Sequence, residues 1–198
     1  MQTRHDNIKI FYNYDKTVIE IGSGDGRLLN NLANLYHVDD NVLLTGIEID
    51  ESQFRDSCAQ TKRENVQFIN DSFENVLADI SDDTVDTIIS VLPHPDYIDK
   101  SRQDKWKPVY KTILSKIKCC GHFILVTELT DELLEPVSAS NYKVWKRWVI
   151  ETFSLIGFDI VKTIDGPPLY FTSHYLDKFK NDPQRIKILT LIMTKKQG

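Results

Sequence analysis

The chain has 198 residues, of which 41% are hydrophobic and 27% charged, with a net charge of −5. This length fits one domain, and these proportions exclude a disordered chain, a collagen-like repeat and a coiled coil. The three cysteines lack zinc-ligand spacing and are odd in number, which predicts a cytoplasmic protein without disulfides or metal. No apolar run approaches the ~18 residues of a membrane helix. The polar N-terminus predicts that there is no secretory signal.

Short runs rich in valine and isoleucine alternate with amphipathic stretches along the chain. The runs predict five buried strands, at residues 17–21, 43–49, 66–70, 85–92 and 122–127. The stretches between them predict four helices, at residues 25–36, 51–62, 73–80 and 106–118. A helix at 142–155 and strands at 158–164 and 185–194 are predicted to follow. This order indicates an α/β fold with a mostly parallel sheet covered by helices on both faces.

The first predicted strand runs directly into a glycine-rich turn, Gly22-Ser23-Gly24-Asp25-Gly26, and carries Glu20 near its end. Glycine permits positive φ and close approach of a ligand, and the following helix offers free backbone N–H groups. A dinucleotide site would have the spacing G-x-G-x-x-G, whereas this turn has G-x-G-x-G. Because Glu20 and Asp25 would repel a pyrophosphate, the turn favours a ligand with a positive amino group and a neutral nucleoside. A purely structural turn is the alternative.

Acidic residues also follow or end the next two predicted strands. Glu48, 22 residues after Gly26, can accept hydrogen bonds from both hydroxyls of a ribose, and Asp71 can accept one from an adenine amine. Alternatively, such acids cap helices, as Asp50 and Asp71 could. Because open α/β sheets bind ligands at the carboxyl ends of their strands, three acids at consecutive strand ends indicate a nucleoside site.

These elements resemble the class I S-adenosylmethionine-dependent methyltransferases over residues 17–128, in the segments E-I-G-S-G-D-G, G-I-E and N-D-S. The resemblance implies a seven-stranded Rossmann-like sheet with an antiparallel last strand, and S-adenosyl-L-methionine as cofactor. It also implies that Glu20 and the glycines hold the methionine part, Glu48 the ribose and Asp71 the adenine side. The cofactor-binding residues implied are Glu20, Gly22, Ser23, Gly24, Gly26, Glu48, Ile49, Asp71, Ser72 and Leu92.

The segment after the fourth predicted strand, Leu92-Pro93-His94-Pro95-Asp96-Tyr97, resembles the Phe-Pro-Asp-Pro-Trp segment of the tRNA (guanine-N7) methyltransferases. As in that family, a basic run, a helix and a strand follow, here ending Val126-Thr127-Glu128. Residues 173–179 are similar to the family's T-x-Y-E-x-K-F segment. The resemblance implies tRNA as partner, His94 and Glu128 as catalytic residues, and a set of substrate-binding residues: Lys100, Arg102, Lys105, Ser173 and Tyr175.

Charge is distributed unevenly along the chain. Residues 1–99 hold 7 lysines and arginines against 19 acids, whereas residues 100–198 hold 17 against 10. Residues 100–118, the basic segment, carry seven basic side chains and a single acid, Asp104. This segment predicts a surface for a polyanion such as tRNA, with a solvated helix face as the alternative. Trp106 within it is a candidate for stacking on a splayed base, unless it packs in the core.

Three departures from the guanine-N7 family leave the methyl acceptor open. His94 stands where the family has aspartate, Ile98 where it has lysine, and Leu176 where it has glutamate. Three hypotheses follow: a tRNA guanine-N7 methyltransferase, a class I methyltransferase of a small molecule or protein, and a cofactor-binding partner subunit without catalysis. The basic segment favours the first and the departures favour the second. The sequence leaves the oligomeric state, monomer or homodimer, open.

Overall fold

The structure is a computed structural model that describes residues 14–36, 41–131, 133 and 135–196. Its strands are β1 (Lys16–Ile21), β2 (Val42–Glu48), β3 (Val66–Asn70), β4 (Val85–Val91), β5 (Ile117–Thr130), β6 (Phe158–Asp165) and β7 (Ile186–Lys195). Its α-helices are α1 (Arg27–Leu35), α2 (Glu51–Gln60), α3 (Phe73–Asp79), α4 (Gln103–Lys116), α5 (Ala139–Ile156) and α6 (His174–Phe179), and 3₁₀ turns lie at Pro95–Tyr97 and Lys100–Arg102. None of the helices in the described ranges has the length and apolarity needed to cross a membrane.

The strands form one sheet in the order β3-β2-β1-β4-β5-β7-β6. Strand β1 pairs in parallel with β2 and β4, and parallel pairing continues outward to β3 and β5. Strand β7 runs antiparallel to both β5 and β6. The predicted Rossmann-like sheet with an antiparallel last strand is therefore confirmed. Because the chain leaves β1 toward one edge of the sheet and β4 toward the other, a crevice opens above these two strands, where α/β sheets bind ligands.

Helices cover both faces of the sheet, and each face has its own core. Helices α3, α4 and α5 pack on one face, where Trp106 and Phe153 are buried with stacked rings. Helices α1 and α2 cover the other face around residues such as Leu29, and α6 packs beside them through Leu176 against Val126. Burying one large apolar side chain contributes about 1.5–3 kcal/mol to the stability of the fold. The many such side chains on both faces hold the sheet, and with it the strand ends, in place.

Most predicted elements begin and end within three residues of their observed bounds. Strand β5 begins earlier than predicted, and helix α6 is not predicted at all. Strand β5 begins at Ile117, five residues before the predicted start, and ends at Thr130. Its first part contains Lys118, paired to Asp86 at 2.7 Å, and the exposed Cys119 and Cys120, so the sequence does not mark it as a buried strand. Helix α6 is absent from the prediction because its six residues are too few to show a helical repeat.

Candidate active site

A solvent-facing cleft lies at the carboxyl ends of β1 to β4, between the sheet and helices α3 and α4. Its cavity volume is about 200 Å³. The fold brings several predicted site residues together in its lining: Gly22, Glu48, Ile49, Asp71, Ser72, Leu92 and His94. The cleft therefore occupies the position at which the sequence predicts a nucleoside site.

The glycine-rich turn after β1 has a backbone that other residues would strain. Gly22, Gly24 and Gly26 have φ values of +68°, +55° and +76°, in the left-handed region that glycine tolerates best. A Cβ on Gly26 would lie 2.6 Å from the Phe68 ring, so a larger residue does not fit there. A Cβ on Gly22 would meet no atom within 4 Å, since Gly22 faces open space. The turn is compact on its inner side and accessible to a ligand on its outer side.

Glu48, the last residue of β2, is fixed by two backbone donors. Its Oε2 accepts from the N–H of Gly24 at 2.7 Å, and its Oε1 accepts from the N–H of Asp50 at 2.8 Å. The residue is only 7% exposed. Because a carboxylate oxygen has two acceptor positions, each oxygen keeps one for a ligand in the cleft. Glu48 is thus a preorganised pair of acceptors, which suits two adjacent hydroxyls.

Acidic side chains gather at the glycine-rich turn. Glu20 is 2% exposed, and one of its carboxylate oxygens has no hydrogen-bond partner among the described residues. Burial, and then repulsion from Asp25 and Glu48, raises the pKa of Glu20 well above its usual value. Asp25 is already paired with Arg27 at 2.8 Å. A cationic group close to Glu20 would relieve this repulsion, so the turn favours the ammonium group of a ligand.

Asp71, directly after β3, is held by its neighbours. Its Oδ1 accepts from the N–H of Ser72 at 2.7 Å and from the side-chain amide of Asn75 at 2.9 Å. The cap of α3 is Ser72, whose Oγ accepts from the N–H of Asn75, whereas Asp50 caps α2. The helix-cap alternative is therefore right for Asp50 and wrong for Asp71.

Apolar side chains line the cleft beside Asp71, and most of them are not predictable from the sequence. Ile49 is 72% exposed although it is a large hydrophobic residue, and the rings of Phe73 and Tyr97 lie 5.3 Å apart. The Tyr97 hydroxyl donates to Glu74 at 2.5 Å, which joins α3 to the loop after β4. Burial, and then this hydrogen bond, raises the pKa of Tyr97 to about 12, so the hydroxyl remains a donor at neutral pH. No local pattern in the sequence predicts the Tyr97–Glu74 contact, because Glu74 lies on α3 and Tyr97 lies 23 residues further along, in the loop after β4.

The loop after β4 has a strained backbone at the edge of the cleft. Leu92 has a φ of +52°, which is unusual for a residue with a branched side chain, and its N–H donates to the carbonyl of Val126 at 2.8 Å. The side chain of His94 is 70% exposed, and its Nδ1 accepts from the N–H of Asp96 at 3.3 Å. The loop therefore directs Leu92 and an accessible imidazole toward the cleft.

Glu128 lies on β5, next to β4 in the sheet, and is not among the residues that line the cleft. The strand continues to Thr130, so the prediction that it ends at Glu128 is wrong by two residues. The Oε2 atom of Glu128 is buried and has no hydrogen-bond partner among the described residues. Burial raises the pKa of Glu128 to about 7. The side chain is thus a buried acceptor near the carboxyl edge of the sheet.

The predicted substrate-binding residues of the basic segment are only partly free of acidic partners. Arg102 is paired with Asp96, and the last two lysines of the segment pair with other aspartates. Lys100 and Lys105 are exposed. Trp106 is 1% exposed in the core, so the prediction that it stacks on a base is wrong and the core alternative is right.

The other predicted substrate-binding residues, Ser173 and Tyr175, lie at the start of α6. The Ser173 hydroxyl accepts from the N–H of Leu176 at 3.1 Å, so it caps the helix, and Tyr175 is 57% exposed. Leu176 is fully buried against Val126, two residues before Glu128 on β5. Its apolar contacts explain why a leucine fits at the position where the guanine-N7 family has glutamate.

A family model described as a methyltransferase domain matches residues 13–171 of the sequence. The chain belongs to this methyltransferase family. None of the curated proteins matches the sequence of this methyltransferase.

Solved structures similar to this methyltransferase act on different kinds of acceptor. A Listeria monocytogenes protein assigned as an S-adenosylmethionine-dependent methyltransferase is 19% identical, with a TM-score of 0.63 and 98% of each chain covered. The 16S rRNA methyltransferase KamB is 14% identical, with a TM-score of 0.72, covering 100% of this chain and 95% of its own. Haemonchus contortus phosphoethanolamine N-methyltransferase 2, in complex with S-adenosyl-L-methionine, is 12% identical, with a TM-score of 0.61. The match covers 98% of this chain and 53% of the Haemonchus chain. At these identities the likeness is one of fold.

The cofactor of this methyltransferase is S-adenosyl-L-methionine, and the chemistry of the cleft fits it. The paired acceptors of Glu48 suit a ribose, the acids around Glu20 suit an ammonium group, and the apolar lining suits an adenine ring. The cofactor supplies a methyl group on a sulfonium sulfur, which is an electrophile.

Gly22→Ala is expected to weaken binding of S-adenosylhomocysteine about ten-fold in calorimetry. An alanine at this φ is strained by roughly 1–2 kcal/mol, and its methyl group would enter the space that Gly22 leaves open. Gly166→Ala is the matched control, because Gly166 also has a positive φ, of +127°, with no atom within 4 Å of its Cβ, but it does not line the cleft. Equal losses of affinity in the two variants would contradict the assignment.

Proposed function

We propose that this methyltransferase transfers the methyl group of S-adenosyl-L-methionine to N7 of guanine in tRNA. The observation that carries the proposal is Oε2 of Glu128, a buried carboxylate oxygen without a hydrogen-bond partner among the described residues. The guanine edge offers two kinds of donor, N1–H and the N2 amino group, to a carboxylate held beside it. Uracil and cytosine do not offer this pair, so Glu128 would select guanine.

The cofactor is proposed to lie along the ends of β1, β2 and β3. Glu20 and the glycine-rich turn would face its methionine part, and Glu48 would accept hydrogen bonds from both ribose hydroxyls. Asp71 would accept from the adenine amine, with Ile49 against the face of the ring. Backbone N–H groups hold the side chains of Glu48 and Asp71 in position, which supports this placement.

Segments that resemble the guanine-N7 family come from distant parts of the chain and are neighbours in the fold. The N–H of Leu92, after β4, donates to the carbonyl of Val126 on β5 at 2.8 Å. Leu176 of α6 packs against Val126, and Ile188 of β7 pairs opposite Glu128. The loop after β4, the end of β5 and the start of α6 therefore surround one region, which is where the acceptor base is proposed to bind.

Guanine N7 carries a lone pair in the ring plane and no proton, so its methylation needs no general base. The protein would act by holding N7 in line with the methyl group, and near-attack placement of this kind contributes ~7–11 kcal/mol. Ionised Glu128 would also stabilise the positive charge that develops on the guanine ring as N7 is methylated. His94, exposed at the edge of the cleft, would orient the base. Lys100, Arg102 and Lys105 are proposed to contact tRNA phosphates.

A small-molecule acceptor is the second candidate. The position of Leu176 is filled by an apolar side chain that is fully buried, so α6 supplies no carboxylate at the place where the guanine-N7 family has one. Glu128 would then pair with a single cationic or hydrogen-bond-donor group of that acceptor.

Mass spectrometry of nucleosides tests the proposal directly. Unmodified tRNA transcripts would be incubated with the protein and S-adenosyl-L-methionine carrying a deuterated methyl group, and then digested. The proposal expects labelled 7-methylguanosine in the digest. Label in another nucleoside would contradict the guanine-N7 assignment, and the absence of label from tRNA would favour the small-molecule candidate.

A further inference from the structure

A polar groove lies between α1 and the end of α2, on the opposite face of the sheet from α3 and α4. We call it the amide groove and define it by its exposed lining residues, Arg27, Asn31, Asn34, Gln60, Lys62 and Arg63. It is separate from the cofactor cleft, and neither the basic segment nor the predicted site residues contribute to it.

The charge of the amide groove contrasts with that of the surrounding sequence. Residues 1–99 hold 7 lysines and arginines against 19 acids. Three of those seven basic residues, Arg27, Lys62 and Arg63, line the groove, and no acid is among its described lining residues. Arg27 is neutralised by Asp25, but neither Lys62 nor Arg63 makes an ion pair within the described residues. An otherwise acidic half of the chain thus concentrates positive charge in one concave surface.

The hydrogen bonds within the groove leave donors facing outward. The side-chain oxygen of Asn34 accepts from Arg63 at 3.1 Å, and the side-chain oxygen of Asn30 accepts from the Thr61 hydroxyl at 3.3 Å. The amide oxygen of Asn34 is thereby occupied, while its NH₂ group and the remaining N–H groups of Arg63 stay free within the described residues. Cations and amide donors without acids are the groups that contact phosphate and sugar oxygens of nucleic acids.

One end of the amide groove reaches the proposed substrate region. Arg27 directly follows the glycine-rich turn, and Thr172, which also lines the groove, precedes the cap of α6. The Thr172 hydroxyl donates to Asp177 at 2.7 Å, and Asp177 lies 3.9 Å from the Arg27 guanidinium. From Arg27 to Asn34 the helix α1 rises about 10 Å, the length of about three phosphates along one strand.

We propose that the amide groove binds the sugar–phosphate backbone of the RNA substrate, an inference that rests on the proposed function. A strand lying in the groove would lead past Thr172 toward α6 and the end of β5, where the target base is expected. The contacts are to the backbone, so they add affinity without selecting a sequence.

The test compares two double variants that remove the same charge. Lys62→Gln with Arg63→Gln neutralises the groove, and Lys16→Gln with Arg55→Gln is the control, because Lys16 and Arg55 are exposed outside it. Affinity for fluorescent tRNA is measured by anisotropy at several salt concentrations, and affinity for S-adenosylhomocysteine by calorimetry. We expect the groove variant to bind tRNA about ten-fold more weakly than wild type, and the slope of log K against log salt concentration to be smaller in magnitude by about 1–2. The control variant should bind tRNA within about two-fold of wild type. Both should bind S-adenosylhomocysteine normally.

Several outcomes would overturn the inference. These are equal tRNA affinity in the groove and control variants, a wild type that does not bind tRNA, and displacement of tRNA by polyglutamate as readily as by unlabelled tRNA. The last result would indicate an acidic protein partner instead. If the groove variant loses tRNA affinity while the wild type forms no 7-methylguanosine, the groove inference stands and the proposed function fails.

Discussion

Glu48→Ala should weaken the binding of S-adenosylhomocysteine by about 1–3 kcal/mol, which is roughly a 5- to 150-fold rise in Kd. The variant would leave both ribose hydroxyls without their proposed acceptor. It would also remove the acceptor of the Gly24 and Asp50 N–H groups, which Glu48 holds at 2.7 and 2.8 Å. The glycine-rich turn would keep its backbone hydrogen bonds from Gly22 and Ser23 to Ile47 but lose its side-chain link to β2, so the loss of affinity should exceed that of any other single carboxylate in the cleft.

Calorimetry on Glu48→Ala and on Glu51→Ala measures this effect with a matched control. Glu51 is exposed on α2, three residues along the chain, and its carboxylate contacts Arg55 at 2.5 Å outside the cleft. Glu51→Ala should bind as tightly as wild type. Unchanged affinity in Glu48→Ala would mean that the ribose lies elsewhere.

Glu128→Gln should lower methyl transfer about ten-fold or more while cofactor affinity stays nearly unchanged. A hydrogen bond to a charged group contributes roughly 1.5–3 kcal/mol, and glutamine would present only one acceptor to the guanine edge. Glu151→Gln is the control, because Glu151 is exposed on α5. Unaltered turnover in Glu128→Gln, on whichever acceptor proves active, would show that Glu128 serves the fold and not the reaction.

The pH dependence of methyl transfer gives a second readout of Glu128. Burial raises the pKa of Glu128 to about 7, so in the free enzyme the carboxyl is protonated below that pH and ionised above it. Only the ionised form would accept from both donors of the proposed guanine substrate. The wild-type kcat/KM should therefore rise with pH through about 7, and this rise should be absent from Glu128→Gln.

The same pKa shift makes a prediction about stability. Because the folded pKa lies above the unfolded value near 4.5, protonated Glu128 is stabilised in the folded state. That contribution is present below about pH 4.5 and is lost as the pH rises to about 7. At pH 8 Glu128→Gln should thus exceed wild type in free energy of unfolding by about 1–3 kcal/mol, measured by urea denaturation. A variant less stable than wild type at pH 8 would contradict this.

The strands and the glycine-rich turn are predictable from the sequence because their signals are local. The run Val42–Glu48 of β2 is buried at every position, as a strand covered on both faces requires, and Gly26 must be glycine because Phe68 leaves no room for a Cβ. Acids at successive strand ends, such as Glu48 and Asp71, meet at one edge because parallel strands share their direction.

Features that depend on distant contacts are not predictable in the same way. Helix α6 is fixed by the packing of Leu176 on Val126, fifty residues away, and the Tyr97–Glu74 hydrogen bond joins the loop after β4 to helix α3. The basic segment appears in the sequence as an uninterrupted run, but Arg102 is paired with Asp96 in the fold. Trp106 appears as an exposed aromatic among lysines, yet helix α4 turns it into the core.

Calorimetric titration of the wild-type protein with S-adenosylhomocysteine and, separately, with NAD tests the central claim most directly. That claim is that the cleft at the ends of β1 to β4 is a site for the cofactor of methyl transfer. We predict one binding site per chain for S-adenosylhomocysteine and no measurable binding of NAD, because Glu20 and Asp25 would repel its pyrophosphate. Tight binding of NAD, or the absence of S-adenosylhomocysteine binding, would contradict the claim.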